Sequence, residues 1–274
     1  MDHGHPAPAC GNPAPTGAPP SLLGPDDPPP LSWLNRDSRR ALLIVCDHAS
    51  NAMPRALGDL GLSAAQRVDH IAWDPGAGAV TRLLSDALKA PAVLAGYSRL
   101  VIDCNRAPDD PTAIPQISDG VIVPGNRGLG DGDRTAREAA CHRPYHRAIE
   151  DWLERALADH ETVAMFAVHS FTPSLRDGIT RPWDAGVLWT DDARIPVPLM
   201  QALRDEPGIL VGDNEPYTAH DRFGFTIDVH AEPRGLPNAL IEIRQDRLAD
   251  AAGVQAWAAR LARALDPILH RLGI

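Results

Sequence analysis

Several features that mark other protein classes are missing from this 274-residue sequence. It has no apolar run near the roughly 18 to 20 residues that a membrane-spanning helix needs, and its N-terminus lacks the basic region and apolar core of a signal peptide. Positive charge is also scarce, since the formal net charge is −10 and the pI is near 5.5. Binding through nucleic-acid phosphates needs a basic face. These absences predict a soluble, cytoplasmic protein whose partner is a small molecule, with no nucleic acid and no membrane.

Cysteine is rare as well. The four cysteines show no C-x-x-C pair and are too few for a disulfide framework in a chain of this length. We expect reduced and mostly buried thiols, because free cysteine packs as a small hydrophobe. Cys46 and Cys104 flank candidate site residues, so a nucleophilic cysteine is the alternative. The G-x-S-x-G elbow of many serine hydrolases is absent.

Proline is concentrated at the start of the chain. The first 30 residues hold ten of the 27 prolines, among Gly, Ala and Ser, and no apolar periodicity develops there. Such a composition cannot bury a core. We therefore predict a flexible tail over residues 1–35 and one domain over residues 36–274, a length that permits a single large α/β fold.

Short apolar runs alternate with stretches of helical spacing in the remainder. Predicted strands are 41–45, 92–95, 100–102, 163–168, 186–189 and 239–243. Predicted helices are 78–90, 135–158 with a kink or break at Pro144, 198–204 and 253–272, and 107–133 is a long loop. This alternation favours an α/β domain with a central mixed, mostly parallel sheet flanked by helices.

Polar clusters follow four of the apolar segments. They are CDHASN at 46–51, DCNR at 103–106, HSF at 169–171 and EIR at 242–244. Loops from separate strands converge at one edge of an α/β sheet, so we expect a cleft there. Histidine, acid and arginine are the residue types that hold zinc, activate water and grip a carboxylate. The clusters therefore favour a metal hydrolase.

The metal-ligand candidates are His48, Asp74 and His169. Both histidines stand at the end of an apolar strand, and two histidines with one carboxylate make the open zinc site of a hydrolase. Asp74 is the candidate carboxylate because it precedes a helix. It could instead cap that helix, with Pro75 at the first helical position.

Glu242 is the candidate catalytic base. It lies inside an apolar strand, where an unpaired carboxylate is costly to bury. Arg244 follows two residues later on the same face, so an internal pair between Glu242 and Arg244 is the alternative.

Three further groups are weaker candidates. Tyr145 and His146 share a helical face and could line the cleft, or could be solvated helix residues. His230, near the last strand, is a candidate catalytic residue that could contact substrate, stabilise an oxyanion or bind metal. The turn-like segment NEPY at 214–217 could cover the pocket.

Beyond these patterns, seven segments resemble the N-formylglutamate amidohydrolase family, in order and over roughly residues 40 to 265. They are DHASNAMP, HIAWDPGAG, SRLVIDCNRAPDD, HRPYH, VHSFTP, NEPY and HAEPRGLPNALIEIRQD. That family is similar to zinc-dependent exopeptidases and, more distantly, to the aspartoacylase and succinylglutamate desuccinylase group. The resemblance implies a phosphorylase/hydrolase-like, zinc exopeptidase-like fold. It also implies a zinc-activated water that hydrolyses the amide of an N-acylated acidic amino acid.

The resemblance also implies roles for particular residues. His48 and His169 match the histidine ligands, and Glu242 matches the carboxylate that activates water. The wider exopeptidase group has a glutamate ligand three residues after its first histidine, where this chain has Asn51. Asn51 is a poor zinc ligand, so we expect Asp74 to supply the carboxylate instead.

Substrate binding is assigned in the same way. Arg99, Asn105 and Arg106 resemble a substrate-binding segment of the aspartoacylase group, and arginine grips a carboxylate through two parallel hydrogen bonds. Arg106 could alternatively clamp its loop by pairing with an aspartate. Arg244 is a further substrate-binding candidate.

Two other functions stay open at the level of sequence. One is a metal-free hydrolase with Ser170 or Cys46 as nucleophile and a neighbouring histidine as base. The other is a non-catalytic anion-binding homologue that kept the arginines. A monomer or small homo-oligomer is expected, and the preferred acyl group depends on loops such as 107–133 and 171–184.

Overall fold

A central sheet forms the middle of the structure, a computed structural model that describes residues 1, 21–221 and 224–274. The strands are β1 Leu31–Leu34, β2 Leu42–Cys46, β3 Ala92–Ala95, β4 Ile117–Ser118, β5 Val121–Ile122, β6 Ala164–Phe171, β7 Ala185–Leu188, β8 Val211–Asp213 and β9 Asn238–Arg244. One seven-stranded sheet has the order β1-β3-β2-β6-β9-β7-β8, and β4 and β5 form a separate hairpin.

Most neighbours in the large sheet are parallel. β3, β2, β6 and β9 run in one direction. β7 and β8 are parallel to each other, but β7 is antiparallel to β9, and β1 is antiparallel to β3. The prediction of one α/β domain with a mixed, mostly parallel sheet is therefore confirmed.

Helices cover both faces of this sheet. The helices are α1 Ala64–Arg67, α2 Ala77–Leu88, α3 Asp131–Arg137, α4 Arg143–Asp159, α5 Pro196–Arg204, α6 Thr226–His230 and α7 Ala251–Arg271. Of these, α2, α5 and α7 pack on one face of the sheet and α4 packs on the other. Side chains of β2 alternate between the faces: Leu42 and Ile44 pack with α2, α5 and α7, whereas Leu43 and Val45 pack with α4. Because both faces are buried, the central strands are apolar throughout, which made them visible in the sequence. None of the helices described is long and apolar enough to cross a membrane.

The strand predicted at 100–102 does not form, and that prediction was wrong. Leu100 and Val101 are fully buried, but their carbonyl groups accept hydrogen bonds from side chains instead of a neighbouring strand. Asn126 Nδ2 donates to Leu100 at 2.8 Å, and the buried Arg137 donates to Val101 at 3.0 Å. A short apolar run shows that a segment is buried, but not how its backbone is satisfied.

The helix predicted over 135–158 is interrupted close to Pro144. Between α3 and α4, the chain makes a π-helical turn over Glu138–His142. Proline has no N–H to donate to the carbonyl four residues earlier, and a wider turn accommodates the missing bond. The chain therefore continues through this region without leaving a helical path.

The N-terminal region is only partly described. Residues 2–20, including Cys10, lie outside the described residues, so the flexible tail stays a prediction there. Within the predicted tail, Leu31–Leu34 forms β1, which the sequence analysis missed. Gly96 N donates to Pro30 O at 2.8 Å beside it. Cys46, Cys104 and Cys141 are free and buried, as expected.

Candidate active site

A cleft of about 430 Å³ opens where β2, β6 and β9 end. His48 follows β2, while His169 and Glu242 lie within β6 and β9. His169 and Glu242 are register partners on these adjacent parallel strands, so their side chains share a face of the sheet. Asp74, from the loop that leads into α2, completes the group. The topology thus brings together residues from four separate segments.

His48, Asp74 and His169 form a buried cluster that could hold a metal ion, since one ligand atom from each lies within 4.8 Å of the others. Asp74 Oδ2 is 3.3 Å from His48 Nδ1 and 2.9 Å from His169 Nδ1. The alternative role of Asp74 as a helix cap does not hold. α2 begins at Ala77 with Gly76 as its N-cap, and no side chain makes a capping hydrogen bond.

Two further carboxylates fix the orientation of the histidine rings. His48 Nε2 is 2.6 Å from Asp103 Oδ1, and His169 Nε2 is 2.9 Å from Asp47 Oδ2. A carboxylate only accepts, so each Nε2 carries a hydrogen. Each Nδ1 faces Asp74 and is the nitrogen that would bind a metal once its own hydrogen is lost. Sequence analysis missed the roles of Asp47 and Asp103. Their positions beside His48 and at the start of the 103–106 cluster were the only signal.

The charges of the cluster suit a divalent cation. The cluster contains three buried aspartates, Asp47, Asp74 and Asp103, and one arginine, Arg99. Arg99 Nη2 is 2.7 Å from Asp103, and Arg99 Nη1 is 3.7 Å from Asp74. With neutral histidines, this set has two more negative than positive charges. Burial alone would lower the pKa of His169, but hydrogen bonds to Asp47 and Asp74 outweigh it and raise that pKa well above its usual value. The cluster therefore strongly favours positive charge at the histidines.

Glu242 stands beside this cluster with one oxygen unused. The residue is 8% exposed, and its Oε2 has no hydrogen-bond partner in the described part of the chain. Burial raises the pKa of Glu242 to about 7, which suits a group that accepts and returns a proton near neutral pH.

Arg244 does not pair with Glu242 in any contact among the described residues. Its Nη1 donates to the carbonyl groups of Arg181, Pro182 and Trp183, and its Nε is 2.7 Å from Asp246 Oδ1. Arg244 thus holds the preceding loop against β9 and does not line the cleft. The internal pair that sequence analysis left open is not formed.

The three residues of the predicted substrate segment, Arg99, Asn105 and Arg106, all line the cleft. Asn105 Oδ1 accepts from the backbone N–H of Phe225 at 2.8 Å and of Thr226 at 3.0 Å, so it also orders the start of α6. Arg106 Nη1 donates to the carbonyl of Asn105 at 2.9 Å. Their role toward a substrate stays a prediction.

Tyr145, His146 and His230 are not among the described residues that line the cleft. Tyr145 is fully buried on the face of α4 that packs against the sheet. His146 Nε2 is 2.8 Å from the carbonyl of Cys104, and its Nδ1 is 2.9 Å from His230 Nε2. The two histidines form a buried pair behind the cleft wall. The predicted contacts of these three residues with substrate stay predictions.

Other cleft residues were not singled out in the sequence. An apolar wall and an acidic group line it, together with Tyr217 from the 214–217 segment. The apolar wall consists of Leu188, Trp189, Pro216, Ala219, Ile227 and Leu240. The acidic group consists of Asp221, Asp228 and Glu232. Of the residues named here, Pro216 and Tyr217 belong to the segment that was expected to cover the pocket.

Comparisons with known proteins show a family and a shared fold. The family model of N-formylglutamate amidohydrolase matches residues 40–249. The crystal structure of an Agrobacterium tumefaciens gene product is 34% identical, with a TM-score of 0.87 over 92% of this chain and 100% of that chain. An N-formylglutamate amidohydrolase from Ralstonia eutropha is 20% identical, with a TM-score of 0.65 over 89% and 99% of the two chains, a likeness of fold.

Among curated proteins, none matches the sequence. The family match covers the strands and loops that carry the cleft, and it supports amidohydrolase activity. The chain belongs to the N-formylglutamate amidohydrolase family.

Proposed function

We propose that the protein is a zinc-dependent amidohydrolase that cleaves the amide bond of an N-formyl or other N-acyl amino acid, of the N-formylglutamate type. One observation carries the proposal: the buried set His48, Asp74 and His169 lies in the same cleft as the buried carboxylate of Glu242. Two imidazoles and one carboxylate are the ligand set of many catalytic zinc sites.

The donor set fits the ion. His48 and His169 would bind it through Nδ1, and Asp74 through its carboxylate. Asp47 and Asp103 would keep the rings in that orientation from the other side. When bound, zinc supplies a Lewis acid for the scissile carbonyl and lowers the pKa of water toward about 7.

Glu242 is the proposed general base. It takes a proton from the attacking water and gives it to the leaving nitrogen. A pKa of about 7, caused by burial, allows both transfers near neutral pH. The unpartnered Oε2 supports this role, because a purely structural carboxylate at this depth would be fully hydrogen-bonded.

Arg106 is the proposed contact for the substrate carboxylate. Arg99 also lines the cleft, but its guanidinium already balances Asp103 and Asp74. Arg99 would therefore act mainly on the charge of the metal cluster, while Arg106 fixes the amino-acid part of the substrate.

The metal-free alternative has less support. Burial, followed by the charge of Asp74, raises the pKa of Cys46 well above its usual value, so the thiolate is disfavoured. Ser170 Oγ donates to the carbonyl of Pro75 at 2.8 Å, and His48 and His169 are both held by carboxylates. Among the described residues, neither candidate nucleophile has a histidine free to act as its base.

Glu242→Gln tests the proposal on metal-loaded protein with N-formyl, N-acetyl and N-succinyl amino acids as substrates. Glutamine keeps the size of the side chain but cannot accept the proton, so the rate should fall by roughly two or more decades while folding and metal content are retained. Asp246→Asn is the matched control, since Asp246 pairs with Arg244 outside the cleft. A Glu242→Gln rate near that of the wild type would refute the role of Glu242.

A further inference from the structure

Tyr217 is held by an arginine in a way that determines the direction of its hydroxyl hydrogen. Arg181 Nη1 donates to Tyr217 Oη at 2.9 Å, and the guanidinium carbon lies 4.8 Å from the centre of the Tyr217 ring. Arginine has donors only, so the phenol oxygen must be the acceptor in this bond. The tyrosine keeps its own hydrogen for another partner. Over residues 21–221 and 224–274, none of the contacts of Tyr217 supplies an acceptor for it.

Arg181 is itself a fixed support. It is 8% exposed, its Nη1 also lies 3.4 Å from the carbonyl of Thr172, and its guanidinium carbon is 5.9 Å from the ring of Phe171 at the end of β6. A buried cation against the phenol oxygen polarises the O–H bond and makes it a stronger donor.

The segment that carries Tyr217 crosses the sheet next to Glu242. Gly186 on β7 is the register partner of Glu242, and a Cβ on Gly186 would lie 1.6 Å from the carbonyl oxygen of Glu215. Only glycine leaves room for this crossing. The segment is anchored by Asn214, whose Oδ1 accepts from Trp189 N and Ala219 N at 3.1 Å each.

Tyr217 therefore lines the cleft from a fixed position, with 43% of the residue still exposed to it and to solvent. Burial raises the pKa of Tyr217, and the charge of Glu242 adds to this effect while Arg181 opposes it. The phenol stays protonated at neutral pH and close enough to Glu242 to sense its charge.

We propose that Tyr217 is a further catalytic residue, whose O–H donates a hydrogen bond to the scissile carbonyl oxygen of the substrate. This inference rests on the proposed hydrolysis. As water adds to the carbonyl carbon, a C–O bond forms, the π electron pair moves to the carbonyl oxygen and a proton passes to Glu242. The electron pair on oxygen then re-forms the C=O bond as the C–N bond breaks, and that proton goes to the leaving nitrogen. Tyr217 keeps its proton throughout and stabilises the negative charge that develops on the substrate oxygen in the transition state. The carbonyl of the ground-state substrate lacks this charge.

Tyr217→Phe removes the donor and keeps the ring. We expect kcat to fall by about 10²-fold, the loss typical of one oxyanion donor, with KM changed by less than about threefold. Metal content should equal that of the wild type, whereas thermal stability should fall slightly, because Arg181 loses one hydrogen-bond acceptor. Tyr97→Phe is the matched control, because its hydroxyl donates to the carbonyl of Pro28. It should keep the full rate.

The outcomes separate the role of Tyr217 from the proposed amide hydrolysis. If the wild type hydrolyses N-acyl amino acids and Tyr217→Phe keeps its kcat, the assignment of Tyr217 alone is overturned. A raised KM at unchanged kcat would place Tyr217 on the substrate carboxylate and would also overturn it. If the metal-loaded wild type hydrolyses none of these amides, the proposed function fails, and the role of Tyr217 fails with it.

Discussion

The buried pair His146 and His230 predicts an acid-sensitive stability. The carbonyl of Cys104 can only accept, so His146 Nε2 carries a hydrogen and His146 Nδ1 accepts from His230 Nε2. His146 is therefore neutral, because a proton added at the shared contact would set two N–H groups against each other. His230 Nδ1 is buried with no hydrogen-bond partner in the described part of the chain, so a proton there would have no acceptor and His230 is neutral as well. Burial lowers the pKa of His146 to about 3 and of His230 to about 4.

The sign and size of the effect follow from these values. In the unfolded chain, a histidine has a pKa near 6.5 and is almost fully protonated at pH 5, whereas both rings stay neutral in the folded protein. The contribution of the two rings to the free energy of unfolding is therefore fully present above about pH 6.5. It is lost as the pH falls from there toward the folded pKa values. At pH 5 the loss is roughly 2 kcal/mol for each ring, or about 4 kcal/mol for the pair.

Urea unfolding at pH 7 and pH 5 measures this loss, with a chelator present so that metal release does not contribute. The double variant His146→Gln/His230→Gln lacks both titrating groups and serves as the reference. The wild type should lose about 4 kcal/mol more than this variant between the two pH values. An equal loss in both proteins would show that the pair is not held neutral, and the tautomers inferred from the hydrogen bonds would be wrong.

Two further predictions concern the cleft. Asp103→Asn should weaken metal binding by about 10- to 100-fold, because a neutral amide supports His48 less well than a carboxylate; a chelator competition measures it. Asp184→Asn is the control, because Asp184 is also a buried aspartate but accepts a hydrogen bond from Leu210 N outside the cleft. Equal metal affinities in the two variants would contradict the proposal that Asp103 orients His48. Arg106→Lys should raise KM strongly for carboxylate substrates at unchanged metal content, but hardly for amide-capped ones. An equal loss on capped and uncapped substrates would mean that Arg106 only holds its loop.

The central strands and the ends that carry the ligands could be predicted from sequence for a local reason. Strands buried on both faces are apolar throughout, so the polar residues that follow β2 and interrupt β6 stand out. Parallel strands bring these ends to one edge, which is why His48 and His169 could be paired across the sequence. Glu242 stood out for the same reason, as a carboxylate inside an apolar strand.

Other parts of the site depend on contacts that a single sequence does not encode locally. Asp47 and Asp103 act through Nε2 of histidines whose orientation is set only in three dimensions. His146 and His230 are 84 residues apart and meet behind the cleft, so their helix and loop positions alone suggested access to substrate. The backbone near Leu100 is satisfied by the side chain of Asn126, so its apolar run was mistaken for a strand.

Metal content per chain tests the central claim most directly. Mass spectrometry of purified wild-type protein, His48→Ala, His169→Ala and the exposed control His270→Ala gives the number of zinc ions bound. The wild type and His270→Ala should each hold about one divalent ion, and either cleft variant should lose it together with amide hydrolysis. Full metal occupancy in His48→Ala and His169→Ala would contradict the account.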